Sequence, residues 1–383
     1  MEDAPRPVRL WGAFCLMRTL LVRDMRPRRA ASKMADYRPT IGVTMGDPAG
    51  IGPEIIVKML SCEAMRQRAR FVIFGLAELL AYTADMLETD LPFHREHHED
   101  IRRYDEDLVL LDYDEIVLPT RMKRGPDKIG GRASMVFCLD AIQAARDGLI
   151  DAIVTAPISK AAWELAGYHK YPGHTELLKE KCHARHVAMM FVAPQLKVVL
   201  ATIHTAIIAI RDEFTIGCVF NPIDLADRAL REWFGLEKPR IAVAGLNPHA
   251  GEDGKFGDEE TRVIAPAILM ATEAGITVDG PFPGDTVFLM ALAGKCDCVV
   301  AMYHDQGMIP IKLLAWRDAV NVTLGLPIIR TSPDHGTAFD IAGKNKADAT
   351  SMIAATNLAI DLAIKKHAAD EAERQNSSRD SSS

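Results

Sequence analysis

Three histidines stand just past apolar runs: His204 after VVLATI, His249 within LNPHAGE and His304 after VVAMY. Imidazoles delivered from three loops to one sheet edge can hold a divalent ion and leave positions open for substrate oxygens, as a Lewis-acid site requires. A histidine met singly in such a place is ordinarily a packed or hydrogen-bonded side chain, so the case rests on three in equivalent positions. His174 and Thr175 offer a second candidate, in PGHTELL. Free N–H groups at a helix start favour a carboxylate or phosphate there, with a Thr cap and an exposed His as the plain alternative. Beyond His304 the chain spaces out Lys312, Asn321 and Arg330 and then a Gly/Asp/Ala-rich loop. Asp285, in PGDT, is either a helix cap or a carboxylate aimed at the same crevice.

Other motifs fit less well. Gly46-Asp47-Pro48-Ala49-Gly50-Ile51-Gly52-Pro53 forms a glycine-rich strand-to-helix turn, but it matches neither G-x-G-x-x-G nor a P-loop. It reads as a tight turn with Pro53 at the first helical position or as a ligand-lining loop, and Asp47 as a cap. Gly251 to Glu260 lacks EF-hand oxygen spacing, so Asp258, Glu259 and Glu260 are expected to serve a helix N-terminus. His169, His183 and His186 lie in polar stretches. No H-E-x-x-H or C-x-x-C occurs, and a structural zinc is not expected.

The elements that must position these groups alternate. Strand-like runs at 41–45, 71–75, 108–113, 152–156, 187–193, 198–203, 241–246, 298–303 and 320–325 are separated by amphipathic stretches such as 134–147, 222–235, 258–274 and 347–365. This rhythm predicts an α/β fold with a largely parallel sheet, in which ligands bind in a crevice beyond strand ends. With 383 residues, 48% hydrophobic and 25% charged, the chain is globular and long enough for two domains. Residues 1–38 hold nine Lys and Arg against four Asp and Glu, which leaves −12 on the rest of a −7 chain and argues against nucleic acid as a partner. Seven scattered cysteines (Cys15, Cys62, Cys138, Cys182, Cys218, Cys296, Cys298) suit free thiols in a reducing cytoplasm. The apolar segment 11–22 is too short to span a membrane and is interrupted by Arg18. It reads as the core of an export signal or as an upstream-extended start with Met34 opening the folded protein. His367 to Ser383 reads as a solvated tail.

Taken together, GVTMGDPAGIGPEI, PGHTELL, LNPHAGEDG, PGDT, MYHDQG with IPIKLL, and VNVTLGLPIIRTSPDHGTA occur in this order over residues 40–365. On these motifs the chain resembles the 4-hydroxythreonine-4-phosphate dehydrogenase family of vitamin B6 biosynthesis. The resemblance implies an isocitrate/isopropylmalate dehydrogenase-like fold, two α/β domains with a cleft between them. The expected division is 39–150 plus 305–366 for the first domain and 151–304 for the second, flanked by an extension at 1–38 and a disordered tail at 367–383. It further implies that His204, His249 and His304 bind one divalent metal (Zn, Mg or Co) in a site shared across a homodimer interface. His174, Thr175, Lys312, Asn321 and Arg330 would bind substrate. The loop with His335, Gly336, Thr337, Ala338, Asp340 and Ala342 would hold the adenosine half of NAD or NADP, with Asp340 on the ribose hydroxyls.

The chemistry implied is hydride transfer from an alcohol to NAD, with Asp285 or Lys312 taking the alcohol's proton, followed by loss of carbon dioxide. The substrate would be 4-hydroxythreonine 4-phosphate, giving 3-amino-2-oxopropyl phosphate. Met308 to Leu314 and Phe339 to Ala342 look closer to a second branch of the family, which oxidises D-threonate or D-erythronate 4-phosphate to dihydroxyacetone phosphate. Some relatives accept non-phosphorylated cyclic diol carboxylates. A metal-dependent lyase or hydrolase without NAD is the more distant alternative.

Overall fold

The computed structural model describes residues 37–119 and 122–380, so segment 11–22, Cys15 and Met34 lie outside the described residues. Twelve strands form one sheet: β1 Thr40–Thr44, β2 Arg70–Gly75, β3 His94–His97, β4 Leu108–Asp112, β5 Ala152–Thr155, β6 Ala188–Val192, β7 Lys197–Leu200, β8 Ile241–Ala244, β9 Val278–Phe282, β10 Cys298–Ala301, β11 Val320–Leu324 and β12 Ile329–Pro333. Their order across the sheet is β3-β4-β2-β1-β5-β12-β11-β6-β7-β10-β8-β9. Six helices bear on the site or on the sheet around it: α1 Gly52–Leu60, α2 Lys128–Arg146, α3 His174–Lys181, α4 Ile216–Glu232, α5 His304–Ala315 and α6 Thr350–Asp380.

The expected α/β class is what forms. β1, β2, β4, β8 and β10 are buried almost throughout, as strands covered on both faces must be. Pairing is parallel except at the centre, where β12–β11, β11–β6 and β6–β7 are antiparallel. Two parallel groups therefore run in opposite senses and meet at β11 and β6.

Two elements next to the expected boundaries at 150/151 and 304/305 can be placed relative to the sheet. β5 pairs with β1 and β12, inside the first group. α5 packs on β7 and β10, in the second.

Three strands were not anticipated, because each lacks an unbroken apolar run. β3 (HREH) is a polar edge strand, β9 (VDGPF) carries a Gly-Pro pair, and β12 (IRTSP) is broken by a buried arginine. α6 continues past His367 to Asp380. The stretch AADEAERQ has no apolar period but is rich in Ala, Glu and Arg, all strong helix formers, and it extends a helix already nucleated by packing on β12 and β5. Cys138, Cys182, Cys296 and Cys298 are buried free thiols. Among the described residues no helix is long and apolar enough to cross a membrane.

Candidate active site

The sheet centre buries an arginine beside a cavity. Arg330 is the second residue of β12, and alternation turns it onto the face that β5 and β11 share with it; it is 2% exposed. Its Nη1 donates to Thr323 Oγ1 at 3.1 Å and its Nη2 to Thr155 Oγ1 at 2.6 Å, while Nε is buried without a partner. Burial pulls the guanidinium down to about 10, so it remains a cation at neutral pH. Two neutral hydroxyls do not balance a buried charge, and such a charge ordinarily has an anionic partner.

A cavity of about 420 Å³ opens beside it. His174, Thr175, His204, Asn321, His335 and Gly336 line it together with Arg330, so the structure brings these expected residues to one place. His174 and Thr175 begin α3, as the PGHT motif implied. His174 Nε2, Asn321 Oδ1 and His335 Nε2 are buried without hydrogen-bond partners. Burial, then Arg330 and Lys160, hold the His174 imidazole well below its usual range, so it is neutral. Unpaired polar atoms facing a cavity with an unbalanced cation form a site that is complete only with a polar ligand.

Five further polar lining residues were not singled out from the sequence: Thr155 and Lys160, which lie outside the motifs, and Glu176, Ser332 and Asp334, which lie within them. Their types are too common to stand out; Thr155 and Ser332 arrive on the paired strands β5 and β12, and Lys160 and Glu176 in the first turns of helices.

The metal candidates divide. His204 follows β7 and His304 opens α5 just past β10, and β7 and β10 pair in parallel, so both histidines leave the same sheet edge. Their ring centroids are 6.0 Å apart. His304 Nδ1 donates to Asp305 Oδ1 at 2.7 Å, which leaves Nε2 as the free ligand atom. Burial, then Lys160 and His304, lower the proton affinity of His204, which keeps it a neutral donor.

His249 lies beyond β8 in a left-handed turn with φ of 55°. Glu260 holds that turn: Oε1 accepts from the N–H groups of Leu246 and Asn247 at 2.8 and 2.7 Å. Glu260 opens the helical segment Glu260–Ile264, at the N-terminus where it was expected, and its buried carboxylate also clamps the His249 loop. Within one chain the three histidines do not gather to within 4.8 Å of one another. The donor set fits a metal, but one chain does not close it.

Of the two candidate bases, Lys312 pairs with the cavity-lining Asp334 at 2.9 Å. Asp285 is exposed and precedes the short helix Val287–Leu292, and the cavity lining does not include it.

The loop after β12 lies against the glycine-rich turn. Ile51 N–H donates to Thr337 O at 3.0 Å, and a side chain at Gly50 would meet Thr337. Ala338 is left-handed, Asp340 is exposed and Ala342 is buried beside Gly343. Gly46, at φ 70°, sits where a side chain would strike Pro157 O, so this turn requires glycine. Arg124 reaches both segments: its Nη1 donates to Ala49 O at 3.1 Å, and its guanidinium packs where a Gly343 side chain would be.

Asp47, in the same turn, is fully buried. Oδ1 accepts from Ala49 N–H at 2.9 Å and Oδ2 has no partner. Burial pushes its carboxyl up to about 6, with Asp127 adding to the rise. A folded-state value above the unfolded one favours folding where the group is protonated. That contribution is full below about pH 4 and is lost as pH rises through about 6. Asp47→Asn should therefore melt higher than wild type at pH 8, by about 2–3 kcal/mol, with the gap closing below about pH 4. Thermal melts across that range check it, and parallel curves for the two proteins would refute it.

Comparison with known proteins decides the family. The model for the pyridoxal phosphate biosynthetic protein PdxA matches residues 67–359. The chain belongs to the PdxA family. A 4-hydroxythreonine-4-phosphate dehydrogenase of Desulforapulum autotrophicum is 44% identical over 327 residues, 85% of this chain and 96% of its own. A D-threonate 4-phosphate dehydrogenase of Salmonella typhimurium is 45% identical over 325 residues, 85% of this chain and 99% of its own. The crystal structure of a 4-hydroxythreonine-4-phosphate dehydrogenase from Klebsiella pneumoniae superposes with a TM-score of 0.76 at 42% identity, covering 85% of this chain and 99% of that one. PdxA-family membership fits the resemblance read from the six motifs, and both of its branches are represented at the same level of identity.

Proposed function

We propose that this chain is an NAD-linked, divalent-metal-dependent dehydrogenase that oxidises and decarboxylates a phosphorylated four-carbon hydroxy acid. The substrate is 4-hydroxythreonine 4-phosphate, giving 3-amino-2-oxopropyl phosphate, or D-threonate or D-erythronate 4-phosphate, giving dihydroxyacetone phosphate. Relatives bearing both names at equal identity keep the second reading in play. The observation that carries the proposal is Arg330, a buried guanidinium with no carboxylate partner, facing a cavity whose other polar atoms are unpaired. Such a cation requires an anionic ligand, and its fork suits phosphate or carboxylate.

The chain's own residues divide the work. Arg330, Asn321 and the start of α3 with His174 and Thr175 hold the anionic substrate, and Lys160 adds a second positive charge. The alcohol's proton passes to Lys312 or to Asp285; the 2.9 Å contact of Lys312 with the cavity-lining Asp334 supports Lys312. His204, His249 and His304 would hold a Zn, Mg or Co ion, whose charge acidifies the alcohol and stabilises the electrons left when carbon dioxide departs. His335, Gly336, Thr337, Ala338, Asp340 and Ala342 would place NAD (or NADP), the hydride acceptor, with Asp340 on the ribose.

The protein works as a homodimer with each site shared between subunits. Exposed Ile207, Ile208, Ile309, Leu313 and Trp316 support this reading, because they are large apolar side chains left open to solvent in the segments that follow His204 and His304. Its compartment is the cytoplasm, in keeping with buried free thiols.

Dialysis against EDTA should abolish the substrate-dependent rise in absorbance at 340 nm (the NADH band), and added Zn²⁺, Mg²⁺ or Co²⁺ should restore it. Substrate turnover with no such rise would instead identify a lyase or hydrolase.

A further inference from the structure

The far edge of the sheet carries a cluster that the proposed catalysis does not use. β3 pairs with β4 alone, and the register sets His97 opposite Asp112, the last residue of β4. Two segments therefore leave the sheet side by side, one with His98 and the other with Tyr113, Asp114 and Glu115. His97, His98 and Glu115 offer ligand atoms that all lie within 4.8 Å of one another. His98 Nε2 is 3.4 Å from Glu115 Oε1, and His97 Nε2 is 3.6 Å from Asp114 Oδ1. Two donors of a tetrahedral zinc ion with ordinary bond lengths stand about 3.4 Å apart.

His98 is held ready. Its ring stacks on Tyr113, with centroids 4.1 Å apart and planes 11° from parallel. Its Nδ1 lies 3.5 Å from Asp140 Oδ2 on α2, an oxygen that also accepts from the Tyr113 hydroxyl at 2.7 Å. A carboxylate on one ring nitrogen fixes the tautomer that frees the other for a metal. His97 has only a 3.4 Å acceptor contact from Glu99 N–H on its Nδ1, a weak bond to surrender on ligation. The competing cation is Arg95, which pairs with Asp112 at 2.5 Å and reaches Asp114 only at 3.9 Å.

We propose that His97, His98 and Glu115, completed by Asp114 or water, form a second divalent-metal site whose role is structural. Two imidazoles and a carboxylate suit Zn²⁺, Co²⁺ or Ni²⁺ over Mg²⁺ or Ca²⁺. The site stands three to five strand spacings, about 15–24 Å, from the β5 and β12 walls of the catalytic cavity. An ion there ties the edge strand β3 to the β4 turn, and through Asp140 to α2. It binds the folded chain and not the unfolded one, so it raises the melting temperature.

The test is equilibrium dialysis against Co²⁺ alone of the full chain and of its His98→Asn, Glu115→Gln and His97→Asn variants, with bound metal counted by elemental analysis. Far-UV circular dichroism verifies folding, and the exposed His97 and Glu115 give variants that leave the His98–Tyr113 stack in place. The wild type should bind one equivalent more than each folded variant and gain more thermal stability from Co²⁺. Equal equivalents in the wild type and the folded variants would overturn the proposal.

Discussion

Arg330→Met should lose about 3–5 kcal/mol in kcat/KM, roughly 100- to 4,000-fold, while its melting temperature stays within a few degrees of wild type or rises. Structural arginines behave otherwise: removing one partner of a buried, balanced ion pair unfolds proteins. Here the partners are Thr155 and Thr323 hydroxyls, which keep other bonding options, and Met fills a similar volume. A buried charge without a counterion is therefore a burden on the fold and an asset only to a ligand. Arg330→Lys should recover little, because an ammonium cannot present two N–H groups in the plane of an oxyanion. Steady-state NADH formation and calorimetric melts, measured together, check this. A variant that unfolds, or one that keeps its activity, would each show that Arg330 serves the sheet.

His204→Ala and His249→Ala should each cut turnover at least about 1,000-fold, the effect of losing a metal ligand along with the charge it positions. Their combination is more telling. Within one chain the three histidines do not form a cluster, and the His204 and His304 rings are 6.0 Å apart. If the partner's loop completes the set, co-expression of the two inactive chains makes mixed dimers in which one site has all three histidines. Random pairing makes half the dimers mixed, so about a quarter of wild-type activity returns. Co-expressed chains that stay as inactive as either variant alone would place all three ligands in one subunit.

Apolar runs made most of the fold legible, because strands buried on both faces announce themselves; β1, β2, β4, β5, β6, β7, β8, β10 and β11 fall where such runs predicted. What stayed hidden was held by non-local contact. β3 and β12 carry polar residues that only their neighbours explain, the one pairing at an edge and the other burying Arg330. The same holds within the cavity. His174, Thr175, Asn321 and Arg330 stand out within recognisable motifs, whereas Thr155 and Lys160 lie outside them and reach the cavity at the end of β5 and the start of the helix that follows it. α6 overran its expected end because helix propensity can extend a packed helix without any apolar period. The reversal of strand sense at β11 and β6 has no sequence signal at all, since a buried strand reads alike in either direction.

The central claim is that this cavity joins an anionic phosphorylated acid to NAD and a metal. It is tested most directly by incubating the protein with NAD and Zn²⁺, Mg²⁺ or Co²⁺ and offering, in turn, 4-hydroxythreonine 4-phosphate, D-threonate 4-phosphate and D-erythronate 4-phosphate. Absorbance at 340 nm and released carbon dioxide are followed together. The account predicts NADH and carbon dioxide in equal amounts from at least one of the three. Inertness toward all three would contradict it.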